Sequence, residues 1–243
     1  MTTLVVGASG ATGKHLVKHL LDKGHSVKVI VRSSAKISDA WKNHKDLQII
    51  EANVLEISED EMAEHLKDCE AAASCLGHNM NWKGLFGEPR RLVTDAVRLI
   101  YNAIKKNEPN SPTKFVLMNT TGYVNNELNE PNSLIQKIVI WLLRLLLPPH
   151  VDNEKAAGFL WTNIGQNDRF MEWVSLRPYG LIDKDNISEY EVYASPSKPA
   201  VFDSKKARRI NVGHFMAELI IKNDLWDKWK GQMPVIFDKD ESK

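Results

Sequence analysis

The sequence has few cysteines and no excess of charge of either sign. Cys69 and Cys75 are its only cysteines, six positions apart, so it has neither a C-x-x-C redox or metal pair nor a disulfide framework. Its 32 Lys and Arg residues are balanced by 31 Asp and Glu residues. This balance excludes a large electrostatic attraction to nucleic acid or to an anionic membrane.

Long apolar runs are also scarce. The N-terminus enters a glycine-rich turn after six residues and lacks the basic and apolar regions of a signal peptide. The longest apolar stretch, 134–149, is interrupted by Gln136, Lys137 and Arg144 and is shorter than the roughly 20 residues that cross a bilayer. We therefore predict a cytoplasmic protein with no transmembrane segment and no nucleic-acid partner.

Strand-like and helix-like segments alternate from the first residues, which is typical of a parallel sheet with crossover helices. The predicted strands are 3–6, 27–31, 47–50, 71–76, 114–118 and 173–176, and a terminal apolar run covers 235–237. The predicted helices are 11–23, 39–44, 58–67, 90–106, 133–147, 153–163 and 212–222. The pattern predicts one α/β domain over residues 1–243, a doubly wound parallel sheet (Rossmann fold) of order 3-2-1-4-5-6 with room for a seventh strand. Residues 1–125 would form the cofactor-binding core and residues 126–243 a less regular substrate side.

The strongest motif is the turn Gly7-Ala8-Ser9-Gly10-Ala11-Thr12-Gly13, between the first strand and the first helix. Glycines permit a tight turn, and the first amides of the helix would point at a pyrophosphate. We expect Gly7, Ser9, Gly10, Ala11, Thr12 and Gly13 to bind a dinucleotide. The spacing departs from G-x-G-x-x-G at the second glycine.

The second predicted strand ends in Arg32-Ser33-Ser34, where an NAD site usually has an acidic residue. A guanidinium with two hydroxyls can hold a 2′-phosphate, and Lys36 adds a positive charge nearby. This favours NADP(H) over NAD(H). The alternative is a solvated surface arginine at a strand end.

Short motifs also follow the later strands: Asn53-Val54 after the third, Gly77 after the fourth, Asn119-Thr120-Thr121-Gly122 after the fifth and Arg177-Pro178 after the sixth. With the glycine turn and Arg32, this pattern resembles the atypical short-chain dehydrogenase/reductases. The similar branch is the NAD(P)H-binding one that includes NmrA-like regulators and biliverdin/flavin reductases. The resemblance extends to about residue 222.

The resemblance implies a role for each matching position. Ser9 to Gly13 would bind pyrophosphate, Arg32 and Ser33 the adenosine phosphate, Asn53 and Val54 the adenine, and Leu76 and Gly77 the ribose. Thr120, Lys155 and Pro178 would lie around the nicotinamide. Asn53 stands where the family usually has aspartate.

The catalytic tyrosine of typical family members is missing. Tyr101-x-x-x-Lys105 has the Tyr-x-x-x-Lys spacing but precedes the fifth strand, so we interpret it as a chance match on a helix surface. At the expected position Val151 stands four residues before Lys155. The candidate catalytic residues are therefore Thr120, Lys155 and His150.

Four further side chains are predicted to line a substrate site: His78, Trp82, Tyr123 and Tyr179. His78, Tyr123 and His150 are candidate acids, although each could only shape the pocket. The segment 79–87 mixes aromatic residues with glycines, as a loop over a pocket or an ordinary surface loop would.

Three functions remain open. An NADPH-dependent reductase of a planar or carbonyl-bearing small molecule, such as a flavin or quinone, needs no tyrosine if another group supplies the proton. A non-catalytic NADP(H)-binding redox sensor needs no proton donor at all. An NAD-dependent epimerase-like enzyme is less favoured because such enzymes resemble the typical members in using the Tyr-Lys pair.

Two other patterns receive structural interpretations. His15 and His19 have a metal-binding spacing, but no third ligand accompanies them, so we predict solvent-facing histidines and no metal site. The segment Ser133 to Leu147 is apolar on nearly all sides. We expect burial in the core or against a protein partner, with a dimer contact or a membrane interface as alternatives.

Overall fold

A computed structural model describes residues 1–34, 37, 39–78, 87–122, 134–196 and 204–239. The strands are β1 (Thr2–Val6), β2 (Ser26–Val31), β3 (Leu47–Glu51), β4 (Ala71–Ser74), β5 (Thr113–Met118), β6 (Met171–Pro178), β7 (Gly180–Ile182), β8 (Tyr190–Tyr193), β9 (Lys206–Arg208) and β10 (Val235–Asp238). The helices are α1 (Gly13–Asp22), α2 (Asp39–Lys42), α3 (Glu59–Leu66), α4 (Leu92–Asn107), α5 (Leu134–Leu146), α6 (Pro148–Phe159), α7 (Arg209–Ile221) and α8 (Asn223–Trp229). A π-helical turn, Leu160–Ile164, continues α6.

Eight strands form one sheet in the order β3-β2-β1-β4-β5-β6-β10-β8. The first seven strands in this order run parallel, and β8 pairs antiparallel with β10 at the edge. The predicted doubly wound Rossmann fold and the order 3-2-1-4-5-6 are confirmed, and β10 is the seventh strand. Because the chain leaves β1 toward β2 and later returns to β4 on its other side, the strand order reverses between β1 and β4. Ligands of such sheets bind at this switch point.

Helices cover both faces of the sheet. On one face α1 and α7 enclose a core that includes Leu16, Leu20 and Met216. On the other face α3, α4 and α6 enclose a second core that includes Met62 and Ile100. Strands that are buried on both faces consist of nearly continuous apolar residues, and this is why the sequence predicted them correctly.

Burial in the core of the chain, one of the two expected forms of burial, is wrong for four described side chains of α5. Its described side chains include Ile135, Trp141, Leu142 and Leu146, which are 64%, 60%, 41% and 58% exposed. Among the described side chains of α5, Ile140 is buried and Arg144 binds Glu154 of α6. Apolar composition alone does not fix how many neighbours a helix has. Among the described residues, no helix is both long and apolar enough to cross a membrane.

Candidate functional site

The glycine turn lies at the carboxyl end of β1, at the switch point. Gly7 has a φ of +77°, and a Cβ there would lie 2.6 Å from the backbone carbon of Cys75. A Cβ on Gly13 would lie 2.2 Å from the carbonyl oxygen of Gly7. The turn therefore tolerates no side chain at either position, because Gly7 packs against the residue that follows β4 and the start of α1 packs against Gly7.

The start of α1 has the donors that a pyrophosphate requires. Within the turn, the amide of Gly10 donates to the carbonyl of Gly7 at 3.0 Å. The amides of Ala11, Thr12 and Gly13 have no acceptor among the described residues. Ser9, Gly10 and Ala11 are exposed. Free amides at an accessible helix N-terminus bind anions, so these residues fit the diphosphate of a dinucleotide.

The segment after β2 lies beside the end of β3. Arg32 is exposed and forms no ion pair with any described residue, which leaves its guanidinium open to a ligand. The amide of Ser34 donates to Glu51 Oε2 at 3.0 Å, and hydrogen bonds from the hydroxyl and amide of Ser34 lower the pKa of Glu51. The sequence prediction missed this carboxylate. Lys36 lies outside the described residues.

The predicted adenine residues form the turn after β3. The side-chain amide of Asn53 donates to Glu56 Oε1 at 2.8 Å, and Val54 is buried. After β4, Leu76 is half-buried and Gly77 is exposed, with open space where its Cβ would be. The ends of β1, β2, β3 and β4 thus place the residues predicted to bind the diphosphate, adenosine and ribose along one edge of the sheet, as parallel strands require.

The end of β5 provides the next part of this edge. The amide of Thr120 donates to its neighbour Asn119, and Thr120 Oγ1 accepts from the amide of Gly122 at 3.2 Å. The amide of Thr121 donates to the carbonyl of Pro178 at 3.4 Å. These bonds bring the predicted nicotinamide residues Thr120 and Pro178 to neighbouring strand ends.

Two histidines lie at the same edge, each beside a carboxylate of α6. The Nε2 atom of His78 is 2.9 Å from Asp152 Oδ2. His150 packs against Gly122, since a Cβ there would lie 2.9 Å from its Cε1 atom, and its Nε2 is 3.4 Å from Glu154 Oε1. Glu154 also accepts two bonds from Arg144, at 2.8 and 3.0 Å. Burial acts to raise the pKa of Glu154, but the contacts with His150 and Arg144 outweigh it and lower that pKa.

Some predicted residues are not brought to this group. Lys155 is exposed and lines a cavity with Arg90, Arg91 and Val151. Tyr179 is buried in a small cluster with Phe237, their ring centroids 5.4 Å apart. Trp82 and Tyr123 lie outside the described residues, so their substrate contacts stay predictions.

The tyrosine of the rejected Tyr-Lys match has a structural position. The hydroxyl of Tyr101 donates to Asp168 at 3.0 Å, and its ring packs edge-on against Phe159. This supports its interpretation as a chance match.

The interpretation of His15 and His19 as solvent-facing is wrong for His19. Its ring packs edge-on against His214 of α7 at 5.1 Å, and its Nε2 atom is buried. The two helices lie unusually close together here, since a Cβ on Gly213 of α7 would be 2.7 Å from the Cβ of His15.

Asp152 is the main site residue that the sequence prediction missed. The sequence prediction named His150, Val151 and Lys155 in this stretch but not Asp152. A carboxylate one residue from the missing-tyrosine position was the available signal, and nothing local indicates that it would bind a residue 74 positions away.

Comparisons with known proteins agree with this geometry. A family model described as NAD(P)H-binding matches residues 7–223. An uncharacterized chloroplastic protein of Arabidopsis thaliana, At2g34460, is 41% identical over 71 residues, which is 29% of this chain. The chain aligns with only 25% of that relative's length.

Two solved structures have the same fold over nearly the whole chain. ChuY, an anaerobilin reductase from Escherichia coli O157:H7, superposes with a TM-score of 0.69 at 15% identity, covering 100% of both chains. A short-chain dehydrogenase/reductase from Veillonella parvula in complex with NADP has a TM-score of 0.69 at 14% identity, covering 98% of this chain and 95% of that one. With a family match over most of its length and a glycine turn at the switch point of its sheet, the chain belongs to the NAD(P)H-binding family.

Proposed function

We propose that this protein is an NADPH-dependent reductase of a small planar or carbonyl-bearing molecule such as a flavin or quinone. The observation that carries the proposal is the grouping of Thr120, His78 and His150 at the edge that also bears the glycine turn. A hydroxyl and two imidazoles are groups that can bind and protonate a reduced acceptor. Bound reduced nicotinamide would supply the hydride.

The residues of this chain have separate tasks in such a reaction. The amides at the start of α1 bind the diphosphate, and the backbone bond between Thr121 and Pro178 fixes the nicotinamide side of the site. Thr120 offers its hydroxyl to the acceptor. Lys155 is given no task in this proposal, because its side chain is exposed and makes no hydrogen bond or ion pair with any described residue, although it lines a cavity with Asp152.

A preference for NADP(H) is part of the proposal. The exposed guanidinium of Arg32 supports it, since a free arginine at the end of the second strand can bind a 2′-phosphate. Glu51 lies against Ser34 in the same region and would repel that phosphate. The preference for NADP(H) therefore requires that the attraction between Arg32 and the 2′-phosphate exceed the repulsion between Glu51 and that phosphate.

Reduction of a small molecule is also the activity named for the fold neighbour ChuY, an anaerobilin reductase. A redox-sensing protein is the second candidate, and the exposed apolar residues of α5 favour it because they could contact a partner protein. Turnover separates the two functions. A reductase oxidises NADPH when an acceptor is added, whereas a sensor binds one redox form of the cofactor more tightly and consumes none.

The test is a calorimetric titration of the protein with NADPH, NADP⁺, NADH and NAD⁺, followed by NADPH oxidation assays with FMN and a soluble quinone. We expect both NADP forms to bind similarly and at least one acceptor to be reduced. Tight binding of only one redox form without turnover would favour the sensor. A chain that binds none of the four nucleotides would contradict both functions.

The variant Arg32→Ala tests the cofactor preference. Loss of a charged phosphate contact costs about 1.5–3 kcal/mol, so NADPH affinity should fall by a factor of about 10 to 100 while NADH affinity changes little. Lys45→Ala, which removes an exposed cation before β3, is the matched control. An unchanged ratio of NADPH to NADH affinity in Arg32→Ala would show that the phosphate is bound elsewhere.

A further inference from the structure

His78 and Asp152 form a buried pair at the edge of the proposed site. Their side chains are 5% and 0% exposed, and His78 Nε2 lies 2.9 Å from Asp152 Oδ2. His78 follows Gly77 after β4, and Asp152 belongs to the first turns of α6. The same turns carry His150 against Gly122, and the side-chain amide of Asn119 donates to the carbonyl of Asn153 at 3.1 Å. The start of α6 therefore joins the ends of β4 and β5.

The Asp152 carboxylate is ionised, and each of its two oxygens accepts hydrogen bonds from two donors. Besides His78 it accepts the amides of Val93 and Thr94 at 2.8 and 3.0 Å and the hydroxyl of Thr94 at 2.6 Å. Burial acts to raise the pKa of Asp152, but these hydrogen bonds together hold it below its usual value. An ionised carboxylate only accepts, so the atom of His78 that faces it must be Nε2–H.

This bond fixes the ring of His78 and the position of its protons. With Nε2–H donated to Asp152, the nitrogen left to exchange a proton is Nδ1, which has no hydrogen-bond partner among the described residues. A buried carboxylate that orients an imidazole also stabilises its protonated form. Among the described residues, Arg90, Arg91, Arg144 and Lys155 line a cavity with Asp152, and Glu154 lies two positions further along α6.

His150 is less well prepared to donate a proton. Its Nε2 lies 3.4 Å from Glu154 and is a buried atom without a hydrogen bond. The charge of Glu154 is already balanced by the two bonds from Arg144. His78 is therefore the imidazole with the shorter and undivided contact to a carboxylate.

We propose that His78 is the proton donor of the reductase and that Asp152 is its positioning residue, an inference that rests on the proposed function. The acceptor gains a hydride from NADPH, and the resulting anion takes the proton from Nδ1 of the His78 imidazolium. The neutral ring keeps its Nε2–H bond to Asp152, and water returns a proton to Nδ1. NADPH loses two electrons, the acceptor gains them, and one solvent proton is consumed.

Three variants of the full chain test this proposal with FMN and a soluble quinone as acceptors. His78→Gln keeps an N–H for Asp152 but has no transferable proton, so kcat/KM should fall on the order of 100-fold. The pH profile of kcat/KM should also differ from that of the wild type, because glutamine does not titrate. Asp152→Asn should lower kcat/KM on the order of 10-fold. Thr94→Val removes the hydroxyl that bonds Asp152 but keeps the carboxylate, so it should lower kcat/KM less than Asp152→Asn does and should keep the wild-type pH profile.

Two readouts do not depend on turnover. Nitrogen-15 NMR of the imidazoles should show His78 as the Nε2–H tautomer in the wild type and in Thr94→Val, and as a mixture in Asp152→Asn. Calorimetry should show that all three variants bind NADPH as the wild type does.

The proposal is overturned if His78→Gln keeps the wild-type rate and pH profile, or if Thr94→Val loses as much activity as Asp152→Asn, which would make Asp152 a structural cap only. A His78 ring protonated on Nδ1 alone in the wild type would also contradict it. A wild-type chain that binds NADPH but reduces neither acceptor would instead refute the reductase function, and the donor role with it.

Discussion

Single residues decide whether the glycine turn can form. The Cβ of an alanine at position 13 would lie 2.2 Å from the carbonyl oxygen of Gly7, so the turn or α1 would have to move. We expect Gly13→Ala to destabilise the protein by about 2–4 kcal/mol and to weaken NADPH binding. Urea unfolding and calorimetry measure the two effects.

Gly158→Ala is the matched control for this prediction. Gly158 lies in α6, and nothing is within 4 Å of the place its Cβ would take. Alanine is favoured over glycine in a helix, so this variant should be more stable by about 0.5–1 kcal/mol. Equal effects of the two substitutions would mean that steric crowding at Gly13 is not the cause.

Protonation of His19 at acid pH should lower the free energy of unfolding. Burial and the neighbouring His214 lower its pKa from 6.5 to about 4, while Asp22 opposes this and Lys18 and His15 add to it. The unfolded chain therefore binds a proton at His19 between pH 6.5 and about pH 4 that the folded chain does not. Its neutral form contributes stability that is complete above pH 6.5 and is lost as the pH falls to about 4.

The variant His19→Gln should accordingly lose less stability than the wild type between pH 7 and pH 5, measured by urea unfolding at both values. Glutamine cannot be protonated in this range. An equal fall in the free energy of unfolding from pH 7 to pH 5 in the two proteins would show that His19 does not contribute to acid sensitivity.

At the scale of elements, the described side chains of α5 differ in burial from one face of the helix to the other. Ile140 is 5% exposed and Leu142 is 41% exposed, two positions further along the helix. Ile140→Ala should cost about 2 kcal/mol of unfolding free energy, because it removes a buried side chain. Leu142→Ala should change it by less than about 0.5 kcal/mol, because that side chain is in water. Similar losses measured by urea unfolding would indicate that the outer face of α5 is covered in solution.

The start of helix α4 is stabilised by a residue of another helix rather than by a cap of its own. The residue before α4, Arg91, makes no side-chain cap bond, and Asp152 of α6 accepts the amides of Val93 and Thr94 instead. Helix α3 shows the local alternative, a capping box between Ser58 and Glu61. The start of α3 is thus stabilised by residues within four positions of each other, whereas the start of α4 is stabilised by a carboxylate that is distant in the sequence.

For the whole molecule, a ligand that binds only the folded state must stabilise it. NADPH at 100 times its dissociation constant should add about 2.7 kcal/mol and raise Tm by roughly 5–10 °C. NADH at the same concentration should raise Tm less, and Arg32→Ala should remove the difference. A thermal melt that neither nucleotide shifts would contradict binding of both.

The sequence by itself determined the order of the strands and the position of the glycine turn. Buried parallel strands and amphipathic helices show local patterns, Gly7 to Gly13 is a contiguous motif, and right-handed crossovers restrict the strand order. The short strands β7, β8 and β9, of three or four residues, were missed because so few residues carry no detectable period.

Only the tertiary structure decided which polar groups meet and which apolar faces remain open. Asp152 contacts His78, 74 positions away in the sequence, and Glu51 accepts a hydrogen bond from Ser34, 17 positions away. No local sequence pattern indicates either contact. The exposed side of α5 follows from the number of elements that pack against it. A sequence encodes the periodicity of each element, whereas contacts between side chains depend on how the chain returns to itself in space.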